Sequence, residues 1–215
     1  FCANQEAVEK FTLDKPALIC RWRMSNKKVP MLNRHIRALS ERLVQGEPLT
    51  HNMLSWAKQH VEWSLAEGDY TARDGVLMLV IDINGNAAMT VGEYEPLADT
   101  SAKALRARSA EARSEADETG VAPELLAAVN DGELAFVAPA DECLCGTATL
   151  IEQLAQTKGI PVTRVDIPAQ LKGALFLVSD EHGVVPATET DAAEADAATV
   201  AFFADGYEKL RARRS

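Results

Sequence analysis

Cys143 and Cys145 stand one residue apart directly ahead of Gly146, Thr147 and Thr149, in the stretch DECLCGTATLIEQLA. Three chemistries could use this pattern. Two thiolates could hold a soft metal, but a closed zinc site takes about four ligands and the nearest histidine in sequence is His182. No metal site is expected. Thiols at a helix N-terminus have a lowered pKa and could be redox-active, although a redox pair ordinarily keeps two residues between its cysteines. The third use is anion binding. Helix N-terminal N–H groups attract anions, and the hydroxyls of Thr147 and Thr149 would add donors beside a turn at Gly146. The plainer alternative is that Thr147 caps the helix and needs no ligand.

Other candidate groups are sparse. His35, His51 and His60 fall on two early helices, with His51 and His60 nine residues apart on different sides, so solvated histidines are expected. The chain has no Gly-x-Ser-x-Gly, His-Glu-x-x-His, Gly-x-x-x-x-Gly-Lys or Gly-x-Gly-x-x-Gly. Hydrolase, zincin, P-loop and Rossmann readings thereby lose their usual evidence.

The elements that must position these residues alternate between helix and strand. ALICRW (17–22) reads as a strand ending in the polar turn MSNKKVP. Leu32, Ile36, Leu39 and Leu43 fall on one face of a helix that should run to Gly46, with Pro48 reinforcing the stop. A second helix starts at Thr50 as N-cap, carries Met53, Ala57, Val61 and Leu65 on one face, and ends at Gly68. GVLMLVIDINGNAAMTVGEY is a strand, an Asn-Gly turn and another strand, a strong hairpin signal. After the polar segment around Pro96, residues 101–119 read as an Ala-, Arg- and Glu-rich helix ending at Gly120. The second half should supply a short helix PELLAAV, a turn NDG, a strand ELAFVA and a helix over 147–157. Strands near PVTRVDI and ALFLVS, a turn at EHG, the extended VVPAT and a last helix over 192–212 complete it.

The 215 residues are 47% hydrophobic and 25% charged, enough to bury one large core or two small ones. The formal charge of -10 repels nucleic acid and anionic membrane. The terminal LRARRS is locally basic, as suits the C-terminal dipole of a helix. No apolar run approaches the roughly 20 residues that span a bilayer, and FCANQEAVEKF lacks the layout of a signal peptide. Four cysteines, Cys2, Cys20, Cys143 and Cys145, are too few and scattered for a disulfide scaffold. A cytoplasmic protein with reduced thiols is expected, although the first residue is not Met and the true N-terminus stays open.

Several segments, taken in order, carry more than any one alone. ICRWR (19–23) leads to HIRAL (35–39), DGELAFVAP is followed by LCGTAT and LIEQLAQTKGIPV, and FLVSDEHGVVPA comes later. In order and spacing they resemble the class IV family of pyridoxal-phosphate enzymes, which includes branched-chain and D-amino-acid aminotransferases and aminodeoxychorismate lyase. The resemblance runs from about residue 17 to the end. It implies a two-domain α/β (α+β) fold, with a small N-terminal α/β domain over 1–98 and a C-terminal mixed-sheet domain over 99–215. It also implies pyridoxal phosphate between the domains, bound to a lysine, for which Lys103 is the candidate. Arg37, Gly146, Thr147, Thr149 and Ser179 are the candidate cofactor-binding residues. A small amino or keto acid would be the substrate, and a homodimer the assembly, to which the three tryptophans could contribute if they are not core.

The anchors themselves depart from the family pattern. Ala38 stands where the family has a phosphate-binding Arg, and Arg37 lies one residue early, about 100° around the helix. Ala148 replaces a hydroxyl residue, the glutamate that pairs with the pyridine nitrogen has no clear counterpart, and Asp180 occupies the place of the second phosphate Thr. A carboxylate facing a phosphate is repulsive. Two functions follow as expectations: amino-group transfer or the related lyase reaction, or a cofactor-free pseudoenzyme serving as a binding or dimerisation module.

Overall fold

The computed structural model describes residues 12–68, 73–189 and 191–213. The expectations drawn from the first eleven residues, including Cys2, lie outside the described residues.

The N-terminal half is built on β1 (Pro16–Met24), which pairs antiparallel with β4 (Gly75–Asp82), itself paired with β5 (Ala87–Gly92). Between β1 and β4 lie α1 (Leu32–Ser40), a small hairpin of β2 (Leu43–Val44) and β3 (Glu47–Pro48), and α2 (His51–Glu67). Alternate residues Leu18, Cys20, Trp22 and Met24 of β1 and Leu77, Leu79 and Ile81 of β4 share one core with Leu32, Leu39, Ala57, Val61 and Leu65 of the helices. This is the period of two meeting the period of 3.6. Thr50 caps α2 by accepting from the Met53 N–H at 3.2 Å. The β4–β5 turn is tied by Asp82, whose buried carboxylate accepts from the N–H groups of Asn84 (2.9 Å) and Asn86 (2.8 Å).

α1 is shorter than its sequence suggests. It stops at Ser40, and Leu43, expected on its buried face, is 57% exposed in the small hairpin. Gln45 and Gly46 both have positive φ, 52° and 80°, the backbone of a two-residue hairpin turn. The Gln-Gly pair was the signal against helix.

The other half begins with α3 (Ala102–Thr119), capped by Ser101 and closed by Gly120 in the left-handed conformation. β6 (Leu125–Asn130) and β7 (Glu133–Val137) form a hairpin, α4 (Gly146–Thr157) crosses to β8 (Val162–Val165), which runs parallel to β7, and β9 (Ala174–Ser179) and β10 (Gly183–Pro186) follow. The sheet order is β10-β9-β6-β7-β8, and α5 (Glu194–Arg211) ends the fold. Residues 125, 127 and 129 of β6 and 174, 176 and 178 of β9 face α4 and α5, whereas 126, 128, 175 and 177 face Leu105 of α3. The sheet is thus covered on both sides.

That coverage corrects the expected helix at PELLAAV, which is the central strand β6. Leu and Ala favour helix, and a strand buried on both faces shows no alternation to argue otherwise. Tertiary burial decides it: Leu125 through Val129 are all at most 1% exposed.

Candidate functional site

α4 starts inside the protein. Its N-cap, Cys145, has extended backbone and no side-chain cap bond, and Gly146, Thr147 and Ala148 are buried. A helix start leaves N–H groups that need acceptors. Asp180, in the turn after β9, supplies one: its Oδ1 accepts from the Thr147 N–H and the Thr147 hydroxyl, both at 2.8 Å. Thr149 donates its hydroxyl to the Gly146 carbonyl at 2.6 Å and accepts from Arg34 at 3.3 Å.

The other carboxylate oxygen of Asp180 faces His35. This histidine, expected in solvent, is 2% exposed, and its ring stacks on Trp22 at 5.3 Å between centroids. Its Nδ1 lies 3.4 Å from Asp180 Oδ2, an electrostatic contact without hydrogen-bond geometry. Burial raises the pKa of Asp180, but the His35 imidazole and the Thr147 donors outweigh it and hold the group below its ordinary value. The Asp180 carbonyl also accepts from the Arg23 N–H at 3.0 Å. One turn of the C-terminal sheet is thereby fastened to β1, α1 and α4.

Beside this contact lies a cavity of about 80 Å³ between the two sheets, lined among others by Arg21, Arg42, Arg108, Glu115, Glu124 and Asp180. Its charges are largely matched within the protein. The Arg108 Nε donates to Glu124 at 2.7 Å, which raises the Arg108 pKa, and its Nη2 lies 3.6 Å from Glu115. Glu115 is 3.8 Å from Arg21, and Arg42 donates to the Cys143 carbonyl at 2.9 Å. Ser179 donates to Glu124 at 2.9 Å and accepts from the N–H groups of Glu181 and His182. Burial lowers the pKa of His182, whose Nδ1 lies 3.3 Å from the Tyr94 hydroxyl. Glu124, Glu181 and His182 bring three ligand-type atoms within 4.8 Å of one another. Arg108 already neutralises Glu124, so a cation there would meet a guanidinium.

The residues expected from sequence are only partly brought together. Lys103 is exposed in the first turn of α3 and does not line the cavity. Arg37 is exposed, and Ala38 lines the cavity, as the 100° step between them requires. Gly146 and Thr147 sit at the buried helix start, Thr149 turns toward Arg34, and Ser179 lines the cavity with its hydroxyl engaged. Gly146 is closely covered: a Cβ there would lie 2.5 Å from His35 Nδ1.

The lowered thiol pKa that a helix N-terminus could give is not what the structure produces. Cys20, Cys143 and Cys145 are free thiols. Burial pushes Cys20 up to about 12 and Cys145 well up, and the Glu41 contact raises Cys143. Desolvation exceeds the dipole. Arg108, Glu115, Glu124 and Arg21 were missed by sequence reasoning, since residues scattered over β1, α3 and the segment before β6 carry no motif.

No protein-family model matches the chain, and no curated protein matches it by sequence. Solved structures do match. A putative branched-chain amino acid aminotransferase from Thermotoga maritima is similar at a TM-score of 0.61 and 15% identity, over 97% of this chain and 93% of that one. A hypothetical aminotransferase from Mycobacterium tuberculosis, in its apo form, is similar at 0.64 and 12%, over 97% and 96%, and has also been solved in a PLP-bound form. A putative 4-amino-4-deoxychorismate lyase is similar at 0.59 and 15%, over 87% and 89%. The chain has the class IV aminotransferase-like fold.

As they stand, the residues here do not fit pyridoxal phosphate. Among the described residues no lysine lines the cavity, and its 80 Å³ is well below the roughly 300 Å³ at which cofactor-sized pockets begin. The donors that a phosphate would need at α4 are bonded to Asp180.

Proposed function

We propose that this chain is a class IV aminotransferase-like protein that works without pyridoxal phosphate, as a binding or dimerisation module. The lining of the cavity carries this reading: Arg21 and Arg108 paired with Glu115 and Glu124, and no lysine among the described residues to take the cofactor. Arg21 makes only a long 3.8 Å pair and Arg42 a single bond to a carbonyl, so both keep donors for the carboxylate of a small amino or keto acid. A homodimer belongs to this reading, and Trp56 and Trp63, 43% and 64% exposed on α2, are candidates for the contact, whereas Trp22 is core.

The competing reading is a working aminotransferase or lyase with Lys103 as its lysine, supported by fold neighbours that carry the cofactor. One experiment decides between them. The full chain is mixed with pyridoxal phosphate, its visible absorbance is recorded, and the sample is reduced with borohydride and mapped by mass spectrometry. The expected result is no saturable band and no specific modification. A saturable band that vanishes in Lys103→Ala would overturn the proposal.

A further inference from the structure

The start of α4 has the properties of an anion site, yet its occupant belongs to the chain. The Thr147 N–H and hydroxyl converge on one oxygen, Asp180 Oδ1, at 2.8 Å each. Thr147 is itself 0% exposed, so neither donor has water as an alternative partner. From the opposite side His35, 2% exposed, brings Nδ1 to 3.4 Å from the second oxygen, outside hydrogen-bond geometry, and this nitrogen has no hydrogen-bond partner among the described residues. Buried polar groups are ordinarily hydrogen-bonded, so a ring nitrogen left in this state marks a place where a partner is missing.

We infer that the α4 N-terminus is an anion site filled from within, in which the Asp180 carboxylate stands in for a bound oxyanion, and that removing this carboxylate opens the site to phosphate. Asp180 is 19% exposed and lines the cavity. Truncating it therefore joins the vacated space to the 80 Å³ already present and gives an ion a route to Thr147. The donors need no rearrangement, because Gly146, Ala148 and Ile151 fix α4 in the core. Once Asp180 is truncated, the cavity lining sets Arg21, Arg42 and Arg108 against Glu115, Glu124 and Glu181, so no net charge there opposes an anion, and Arg34 bonds Thr149 two residues along the helix. Asp180 in this light is the reason the phosphate of a class IV cofactor finds no seat, and the inference rests on the cofactor-free reading to that extent.

The test uses Asp180→Ala in the full chain, with thermal unfolding followed against inorganic phosphate, ionic strength held constant with chloride. A ligand bound only by the native state raises the midpoint with concentration. The expected result is a saturable rise for the variant, with an apparent affinity at least about tenfold above that of wild type, and its loss on adding Thr147→Val. Equal responses in wild type and variant would overturn the inference, as would a natively folded variant that ignores phosphate. If Asp180→Ala does not fold, Asp180→Ser is read in the same way. Failure of both to fold would make Asp180 a structural tie rather than an occupant, and would also overturn it. A pyridoxal phosphate band in wild type would refute the cofactor-free reading separately, since that experiment does not involve the variants.

Discussion

Gly146→Ala tests why this glycine is present. A Cβ at that position would stand 2.5 Å from His35 Nδ1 and 3.2 Å from the His35 backbone N, where ordinary contact begins near 3.4 Å. The ring has little room to retreat, because Trp22 stacks behind it and only 2% of the residue is exposed. Overpacking of this kind costs about 1–3 kcal/mol. Alanine is a better helix former than glycine by up to about 1 kcal/mol in a helix interior, and by less at the first position, where residue 146 lies. The clash therefore wins, and a net loss of about 1–2 kcal/mol is expected.

Urea unfolding measures this directly. With a slope of about 2 kcal/mol/M, the midpoint should fall by roughly 0.5–1 M. The decisive arm is the double mutant. In a His35→Ala background the 2.5 Å obstacle is gone and only the 3.2 Å approach to the backbone N remains, so most of the cost of Gly146→Ala should disappear, giving a coupling of at least about 1 kcal/mol. A glycine retained only so that an anion can approach would accept alanine with no loss in ligand-free protein. A neutral Gly146→Ala in the wild-type background, or the same cost in both backgrounds, would refute the reasoning.

Two further outcomes follow from the acidities. Asp180 has its pKa depressed in the folded state, so it binds protons less readily there than in the unfolded chain. Its contribution is present above the unfolded value near pH 4 and is lost as pH falls through the lower folded value. The stability gap between wild type and Asp180→Asn should accordingly be widest near neutrality and close in acid, as chemical unfolding at stepped pH would show; a gap that widens in acid would contradict the assignment. Among the described cysteines, Cys143 should react first with a thiol reagent at pH 8, and Cys20 and Cys145 only on unfolding, because both are buried with raised pKa values. Time-resolved labelling with mass spectrometry checks the order, and prompt labelling of Cys145 would contradict it.

Much of the scaffold is legible in the sequence because its signals are local. Thr50 and Gly120 mark helix ends, Asn84 and Gly85 mark the β4–β5 turn, and Asp131 and Gly132, with φ of 50° and 77°, mark the β6–β7 turn. β6 is not legible, since the two layers that bury it come from α3 on one side and α4 and α5 on the other. At the site, the turn at Gly146 can be read from the sequence, and the misfacing of Arg37 from the resemblance to the class IV motif. The role of Asp180 cannot. Its sequence position predicts repulsion of a phosphate, but whether its carboxylate meets a ligand or the helix itself depends on how the β9–β10 turn lies against α4. His35 is hidden for the same reason: its neighbours Trp22 and Asp180 are 13 and 145 positions away in sequence.

The anchor substitutions become mutually consistent once that contact is known. α4 cannot be dispensed with, because Ala148, Ile151 and Ala155 sit in the core with Phe136 and Phe176. Its first turn is buried with it, and a buried N–H without an acceptor costs about 1–3 kcal/mol. Some anion or carbonyl must therefore stand at Thr147 whether or not a ligand is ever present. Asp180 meets that requirement, and with the charge supplied internally an arginine at position 38 would have no phosphate to neutralise and a hydroxyl at 148 nothing to donate to. On the proposed cofactor-free reading neither position needs a polar group, and Ala148 is buried in the core while Ala38 lines the cavity. The same contact ties the β9–β10 turn to α1, through His35, and to β1, through the Arg23 N–H. What the class IV resemblance implies as a seat for phosphate has, on the proposed reading, the geometry of a fastening between the two sheets.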